Sequence, residues 1–463
     1  MIRGVVTILI AGVIWFLPVP AGVDVKAWHL FAIFFATIAG LILQPLPMGA
    51  VVLIAVSATM LTNTLPVAEA LSGYANATVW LIVAAFLFAR AFTKTGLGRR
   101  IAYVFIRRFG HNTLGLGYAL ALTDLVLAPG IPSGTARTGG VLFPVVKSLA
   151  STYGSEPGPT ANRIGTFLMS STFNVHAVNC AMFLTAMVAN PLIVEFAKTT
   201  AGIEITWIGW AQAAIVPGVI SFLLIPYLVF LMIKPEIRQT PEAAVMARTE
   251  LAKMGAMTRG EWSLLGVFLL AFGLWITGSW TQINGTVVAL VALCLMLVLN
   301  AISWDDVLAE HAGWNALVWF GGLISMTEGL SKLGLVSWFS DHVSGLVAGW
   351  SWMTALALLA LVYMYSHYLF ASVTAHTTAF YVPLLTIAIA AGAPPYVAAL
   401  VFAFLSSFTV ILTPYSGGPS AVYFGGGYIS VRQWWGVDFV VSIVLLVVWL
   451  GIGPLWWKAL GLF

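Results

Sequence analysis

Long apolar stretches dominate this chain, and its polar residues are gathered into short breaks between them. Such stretches approach the roughly 20 residues with which a helix crosses the hydrocarbon core of a membrane. The pattern predicts an all-α polytopic membrane protein with eleven transmembrane helices, near 4–19, 28–43, 48–63, 77–96, 164–187, 209–232, 262–279, 284–300, 315–332, 396–413 and 436–456.

Two further apolar segments, 112–150 and 350–390, are each interrupted near the middle by a Ser-x-Thr element. We interpret each as a re-entrant helical hairpin that enters and leaves the membrane on the same side. Reading each hairpin as two full spans is the alternative, and arms of about 16–20 residues allow it by length. The Ser-x-Thr loops would then lie at the membrane surfaces.

The two halves of the chain repeat one another. The stretch from Asn76, Asn-Ala-Thr-Val-Trp, recurs 239 residues later as Asn-Ala-Leu-Val-Trp, starting at Asn315. The same offset relates Ser133 to Ser372 in the two Ser-x-Thr elements. A register shared over a long stretch indicates internal duplication. In a membrane chain, matching breaks in two halves are the best sequence pointer to a transporter's binding site.

Basic residues predict the orientation, because cytoplasmic loops are enriched in Lys and Arg. With the N-terminus in the cytoplasm, fifteen basic residues lie at cytoplasmic ends or loops and four lie outside, and the C-terminus is outside. Five crossings separate 77–96 from its repeat at 315–332, so the halves have opposite topology. Segment 99–108 is expected as a basic amphipathic helix on the inner surface, with 335–347 as its outer counterpart.

The predicted organisation is an extra N-terminal helix at 1–23, a first repeat at 24–233, a cytoplasmic linker at 234–261 and a second repeat at 262–463. The first repeat contains a broken helix at 164–187 and the second one at 396–415. With 60% hydrophobic and 8% charged residues, the composition fits a membrane protein. The first apolar run is interpreted as a retained helix, and a bacterial inner membrane is expected.

Ser133 and Thr135 stand in the first tip after two prolines and a glycine, where a new helix is expected to begin. A helix that starts at mid-membrane offers free N–H groups to an anion, and the broken ends supply oxygens for a cation. Ser372 and Thr374 offer the same groups in the second tip. The alternative is that small polar residues only let helices approach closely.

Arg137, next to the first tip, either contacts an anionic substrate or forms a structural ion pair with Asp124. His376 holds the equivalent position in the second tip, where it either hydrogen-bonds an anion or is a buried core histidine. Polar residues also interrupt two other helices, which we interpret as discontinuous helices that complete the site. They include Asn174, His176 and Thr172 in the first half and Thr413, Pro414 and Ser416 in the second.

No P-loop, HExxH, GxSxG or cysteine–histidine metal motif is present in the sequence, which argues against a membrane-embedded enzyme. Cys180 and Cys294 both lie inside apolar runs and are interpreted as packing residues. A channel would show a continuous polar path instead of two tips. Nucleic-acid binding is not expected.

The tips resemble those of the divalent anion/sodium symporter (DASS) family, and most of all its branch of 2-oxoglutarate/malate translocators and citrate–succinate antiporters. That branch carries Ser-Asn-Thr-Ala-Arg, similar to residues 133–137 here, and Phe/Tyr-Ala-Ser-Leu-Thr-Ala-His, similar to 370–376. The resemblance implies a homodimer whose transport domain moves as an elevator. It also implies small dicarboxylates bound between the tips, with sodium ions beside each tip in the symporters.

This chain departs from the family pattern at Gly134, where the family has asparagine, and Val373 fills that slot in the second tip. Both lack the side-chain amide that would touch a carboxylate or help to ligate sodium. Exchange of C4–C5 dicarboxylates such as succinate, malate and 2-oxoglutarate is therefore the predicted function, with sodium-coupled symport as the alternative. Our hypothesis is that Arg137 and His376 partly replace the lost polarity.

From the residues and the resemblance together, the predicted substrate-binding residues are Ser133, Gly134, Thr135, Arg137, Ser372, Val373, Thr374, His376, Asn174, His176, Pro414 and Ser416. No cofactor is expected other than sodium, whose candidate ligands are Ser133, Thr135, Ser372, Thr374, Thr172 and Thr413.

Overall fold

The computed structural model describes residues 2–344, 349 and 351–463. Within these residues the chain is helical and contains no β-strand, only an isolated bridge between Asn112 and Gln239. In the described part of the chain, eight helices are long and apolar enough to cross a membrane, and four shorter apolar helices accompany them. The coarse prediction of an all-α membrane protein is therefore confirmed.

The first half and the linker contain twelve α-helices among the described residues. These are α1 (Ile2–Phe16), α2 (Val25–Leu43), α3 (Met48–Leu61), α4 (Val67–Ala70), α5 (Ala77–Thr95), α6 (Leu97–Phe109), α7 (Thr113–Leu127), α8 (Phe143–Thr152), α9 (Gly165–Met182), α10 (Ala189–Ala201), α11 (Trp207–Ile233) and α12 (Pro241–Met254).

The second half contains a similar series. Its described helices are α13 (Arg259–Ile276), α14 (Gly278–Thr281), α15 (Gly285–Val298), α16 (Trp304–Leu308), α17 (His311–Lys332), α18 (Leu335–Ser344), α19 (Trp352–Ser366), α20 (Val373–Ala390), α21 (Pro395–Phe408), α22 (Gly418–Gly425), α23 (Val431–Val447) and α24 (Gly453–Ala459).

The two hairpins repeat at the level of the backbone. Their first arms, α7 and α19, are each 15 residues long and begin and end at positions 239 residues apart. Each arm is followed by a 3₁₀ turn, at Ala128–Gly130 and His367–Leu369, which keeps the same offset. The packing repeats as well, because α3 contacts α17 while α15, the equivalent of α3, contacts α5.

Helices α9 and α21 form the centre of the molecule. All residues of α9 are buried, as are those of α21 from Val397 onward. The two helices contact each other, and each is flanked by the arms of one hairpin, α7 and α8 on α9, and α19 and α20 on α21. The hairpins are thereby held against the most buried part of the fold.

The structure differs from the prediction where helices break. The polar stretch of the first broken helix lies inside the continuous helix α9, and the chain leaves the helix only after Met182 before α10 begins. Asn174 and Asn179 of this stretch hydrogen-bond Asp438 and Asp124 on neighbouring helices, and the backbone continues as a helix through it. The predicted linker at 234–261 also contains a helix, α12, which was not predicted.

The second broken helix follows the prediction more closely. Helix α21 ends at Phe408, a 3₁₀ turn covers Thr409–Ile411, and α22 begins only at Gly418. Proline cannot donate the hydrogen bond that would continue a helix, which explains the break around Pro414. The predicted surface helix at 335–347 corresponds to α18, and its positions 345–347 lie outside the described residues, as does position 350 of the second hairpin.

Candidate functional site

The first hairpin tip is a short non-helical passage between two helical arms. After the 3₁₀ turn, residues 131–133 leave the helix and the chain becomes helical again at Gly134. The Ser133 hydroxyl accepts the N–H of Ala136 at 3.2 Å, so it caps the new helix as predicted. Ser133 and Gly134 are half-buried and Thr135 is exposed, so the tip faces an accessible space.

The second hairpin tip carries the same cap at the same register. The Ser372 hydroxyl accepts the N–H of Ala375 at 3.3 Å, and α20 starts with Val373. Ser372, Val373 and Thr374 are all half-buried. The N–H groups in the first turn of a helix have no carbonyl partner inside that helix and carry partial positive charge. Each tip therefore presents polar groups of the kind that an anion accepts.

The segment from Thr413 to Pro419, which we call the central segment, contacts the second tip through two hydrogen bonds. Nε2 of His367 donates to the carbonyl oxygen of Ser416 at 3.3 Å. The Tyr415 hydroxyl donates to the carbonyl oxygen of Tyr368 at 3.1 Å. His367 was not among the residues predicted from the sequence, because it stands at the turn equivalent to Ala128 and has no polar counterpart in the first half.

The central segment also contacts the first tip. Thr135 packs so closely on Gly418 that a methyl group at Gly418 would overlap the Thr135 hydroxyl. A methyl group at Gly134 would lie 3.1 Å from Cγ of Pro419. The two tips thus share one neighbour. The predicted residues Thr413, Pro414 and Ser416 belong to this segment.

Hydroxyl groups inside the central segment are paired with each other. Oγ of Ser416 accepts the N–H of Thr413 at 3.0 Å and lies 2.8 Å from Oγ1 of the same threonine. This arrangement holds the break in a fixed turn, with Pro414 half-buried between the two residues.

Arg137 lies in a buried ion pair and does not face the accessible space. Its side chain is fully buried, and Nε donates to Oδ1 of Asp124 at 2.7 Å. One terminal nitrogen donates to the carbonyl oxygens of Ile131 and Ala186 at 2.6 and 2.9 Å, and the other contacts His176 and Cys180. Of the two alternatives for Arg137, the structure shows the ion pair with Asp124, and two further hydrogen bonds of the guanidinium go to buried carbonyl oxygens.

His176 stands between the buried ion pair and the first tip. Its Nδ1 lies 3.2 and 3.3 Å from the two carboxylate oxygens of Asp124. On the other side of the ring, Nε2 would be 2.8 Å from a methyl group added to Gly134. The imidazole therefore occupies the space that a side chain at position 134 would need, and it lies at the tip as predicted.

Asn174 points away from the tip. Its Nδ2 donates to Oδ1 of Asp438 on α23 at 2.8 Å and to the carbonyl oxygen of Ser170 at 2.9 Å. Both side chains of the Asn174–Asp438 pair are buried. Two residues along a helix separate Asn174 from His176 by about 200°, so the two face different neighbours, and contact of Asn174 with substrate stays a prediction.

His376 is a buried histidine among aromatic rings. Nε2 lies 2.9 Å from the Ser366 hydroxyl, and the ring stacks on Phe380 and meets Phe370 edge-on. Nδ1 has no hydrogen-bond partner within the described part of the chain. His376 is therefore not the chemical equivalent of Arg137, although the two share a register position. Of the two alternatives for His376, the structure shows the core histidine.

The candidate sodium ligands offer few oxygen atoms that are not already engaged in hydrogen bonds. Ser133 and Ser372 already accept cap hydrogen bonds, and Thr413 is paired with Ser416, while Thr172 is buried without a hydrogen-bond partner among the described residues. Hard cations favour carboxylate and carbonyl oxygens. At the first tip, the carbonyl oxygens of Ile131 and Ala186 are held by a guanidinium.

Comparison with known proteins extends over the whole chain. The sequence profile described as "Sodium:sulfate symporter transmembrane region" matches residues 1–463. The chain is 48% identical to YflS of Bacillus subtilis (strain 168), whose name proposes malate transport, over 99% of this chain and 96% of that protein. It is 37% identical to the citrate/succinate antiporter of Escherichia coli (strain K12), over 96% of each chain.

A solved structure shares the fold. The crystal structure of the YdaH transporter of Alcanivorax borkumensis matches 85% of this chain and 88% of its own chain, with a TM-score of 0.57 and 14% sequence identity. At this identity the likeness concerns the fold alone. The profile match from end to end and the relatives above show that the chain belongs to the sodium:sulfate symporter (DASS) family of membrane transporters, and not to a class of enzymes.

Proposed function

We propose that the protein is a secondary transporter that exchanges one small dicarboxylate for another across a bacterial plasma membrane. The substrate class is C4–C5 dicarboxylates such as succinate, malate and 2-oxoglutarate. The observation that carries the proposal is the convergence of two serine-capped helix starts on one central segment. Two such starts, one for each carboxylate, match a dianion in number, and their partial charges have the opposite sign.

The topology in this proposal is eleven transmembrane helices and two re-entrant hairpins in an inverted repeat, with the N-terminus in the cytoplasm. The hairpin arms at a constant offset of 239 residues and the reciprocal packing of α3 on α17 and α15 on α5 support it. Two halves of opposite orientation would bring the tips to the bilayer centre from opposite sides.

An elevator mechanism requires the tips to move as one body. The Arg137 guanidinium supports such a body, because it ties the carbonyl of Ile131 beside the first tip to that of Ala186 after α9. The hairpins and the central helices would form the transport domain, with α3, α5, α15 and α17 in the scaffold. The homodimer implied by the family resemblance belongs to this proposal.

Exchange is favoured over sodium symport by the hydrogen bonds that already occupy carbonyl oxygens at the first tip. A cation beside Ile131 and Ala186 would have to displace a guanidinium that is already paired with Asp124. With these two carbonyl oxygens occupied, the first tip offers few oxygen ligands to sodium, and substrate alone would then allow the loaded domain to move. The antiporter from Escherichia coli, 37% identical to this chain, agrees with this direction.

Purified protein in liposomes tests the proposal. Vesicles loaded with malate should accumulate labelled succinate whether or not sodium is present, and empty vesicles should not. Uptake into empty vesicles that follows a sodium gradient would establish symport instead, and failure of every dicarboxylate under both conditions would refute the substrate class.

Two isosteric variants connect transport to the tips. Thr135→Val and Thr374→Val each remove one hydroxyl at similar volume. Loss of a hydrogen bond to a charged group costs about 1.5–3 kcal/mol, so KM for succinate should rise by about 10- to 100-fold. Thr152→Val is the matched control, because Thr152 is exposed at the end of α8 and bonds only its own helix, at Ser148.

A further inference from the structure

A pocket lined by arginine and apolar side chains lies between α6 and α12. It has a volume of about 560 Å³ and is lined by Val104, Phe105, Arg107, Arg108, Phe109 and Arg248. We call it the arginine pocket. Positions 104, 105, 108 and 109 share one side of α6, because residues four apart are neighbours on a helix.

The packing of α12 brings the third arginine to this place. Helix α12 contacts α6 and α8 and buries Ala243, Ala244 and Ala247. Small alanine side chains let helices approach closely, and the next residue, Arg248, is exposed beside the outer face of α6. Arg107 and Arg108 are contributed by the last turn of α6.

The three guanidinium groups have no acidic partner. None of them is in an ion pair among residues 2–344, 349 and 351–463, and the nearby Glu250 is paired with Lys253 at 2.7 Å. The guanidinium of Arg108 lies over the Phe109 ring, 5.7 Å from its centre. Like charges gathered around one pocket repel each other unless an anion lies between them.

The pocket is also partly apolar. Val104 and Phe109 are each 41% exposed. An exposed phenylalanine and valine beside arginines are typical of a helix that lies in the membrane interface, with its apolar side chains among the acyl chains and its cations at the phosphates. A soluble anion would use the arginines but would gain nothing from this apolar side.

We propose that the arginine pocket binds the phosphate headgroup of an anionic glycerophospholipid of the leaflet that faces α6. The arginines would hold the phosphate oxygens by charge-assisted hydrogen bonds, and Val104 and Phe109 would lie against the first carbons of the acyl chains. The site is separate from the hairpin tips, so the inference holds whichever anion is transported.

Thermal unfolding of the full chain in detergent, with added lipid, tests the proposal. Phosphatidylglycerol should raise the melting temperature in a saturable manner, and phosphatidylcholine of the same chain length should not. Arg107→Gln/Arg108→Gln/Arg248→Gln should weaken the apparent affinity for phosphatidylglycerol by roughly 100-fold. Each basic residue near an anionic surface strengthens binding by about 5-fold, and three are removed.

Arg99→Gln/Lys147→Gln/Arg432→Gln is the matched control. It removes the same charge from exposed positions outside the arginine pocket and should keep the wild-type affinity. An equal loss in both triple variants would overturn the proposal in favour of unspecific charge. Saturation by sn-glycerol 1-phosphate alone would overturn it in favour of a soluble phosphate site.

Retention of the fold is checked separately. The charge-conserving variant Arg107→Lys/Arg108→Lys/Arg248→Lys should keep most of the lipid effect, and malate–succinate exchange should survive in the glutamine variant. If the glutamine variant does not fold, Arg248→Gln alone, on the exposed side of α12, decides the matter: an unchanged affinity for phosphatidylglycerol overturns the proposal.

Discussion

Replacing Gly134 by alanine should damage transport through the imidazole of His176. The added methyl group would lie 2.8 Å from Nε2 of His176 and 3.1 Å from Cγ of Pro419. Ordinary van der Waals contact begins near 3.4 Å, so the ring or the tip has to move by about 0.6 Å. The ring is held on its other side, because Nδ1 contacts both Asp124 and Arg137.

The cost follows from two opposing effects. Overpacking a fixed site costs about 1–3 kcal/mol, while replacing glycine by alanine in a helix gains up to about 1 kcal/mol. The net destabilisation of about 1–2 kcal/mol would distort the first tip. If that geometry sets substrate binding, KM for succinate should rise by about 5- to 30-fold.

A double-mutant cycle separates the clash from other effects. His176→Ala alone should also impair exchange, because it removes a polar group at the tip and a partner of Asp124. In Gly134→Ala/His176→Ala the methyl group finds the space left by the ring. The free-energy loss in transport of the double variant should therefore be smaller than the sum of the two single losses by at least about 1 kcal/mol. Both KM and maximal rate are measured in malate-loaded liposomes.

Gly140→Ala is the control in the same hairpin. Apart from the backbone of its own helix, no atom of the described residues lies within 4 Å of a methyl group at this position, so the substitution should leave exchange unchanged. Strict additivity of the two single effects would show that His176 and Gly134 are not in contact during transport. A similar loss in Gly140→Ala would show that the arm tolerates no substitution at all. Either result refutes the reasoning.

Three other variants probe charged groups. Arg137→Gln should lower the free energy of unfolding by about 3–5 kcal/mol, because it leaves the buried carboxylate of Asp124 without its cation. Asp124→Asn/Arg137→Gln should lower it by less. Thermal unfolding in detergent measures both variants. Asp438→Asn should keep or raise the melting temperature, because the buried carboxylate has an amide as its hydrogen-bond partner and an asparagine oxygen can accept the same bond. The Lys94 ammonium holds the pKa of Asp306 well below its usual range. Asp306→Asn should therefore lower the free energy of unfolding by about 0.5 kcal/mol at neutral pH. This difference should persist above the ordinary aspartate pKa and vanish as pH falls through the lowered pKa of the folded protein.

The duplicated architecture could be predicted from the sequence because its signals are local. Apolar runs determine where helices form, and the prolines and serines of a tip determine where they stop and restart. The caps at Ser133 and Ser372 and the break at Pro414 are therefore as expected. Each depends on a few neighbouring residues, and the 239-residue offset supplied an internal check.

The Arg137–Asp124 pair within one hairpin was one of two predicted alternatives, but partners from distant parts of the chain could not be predicted. Asn174 and His176 are two residues apart in a polar stretch, yet one contacts Asp438 and the other Asp124. Helical rotation sends them to different neighbours, and only the packing of α9 determines which. Arg137 and His376 share a register position, but a carboxylate is available to only one of them.

This asymmetry bears on how an exchanger of this kind would work. The first tip rests on a buried ion pair whose guanidinium cross-links two backbone segments, and the second rests on His376 packed among aromatic rings. Neither arrangement includes the accessible hydroxyls of Thr135 and Thr374. The tips are thus held in shape by contacts beneath them, so a dianion would meet donors that are already oriented and would not have to order them. A site organised in advance loses little binding energy to ordering, which suits a transporter that must release its substrate on each side.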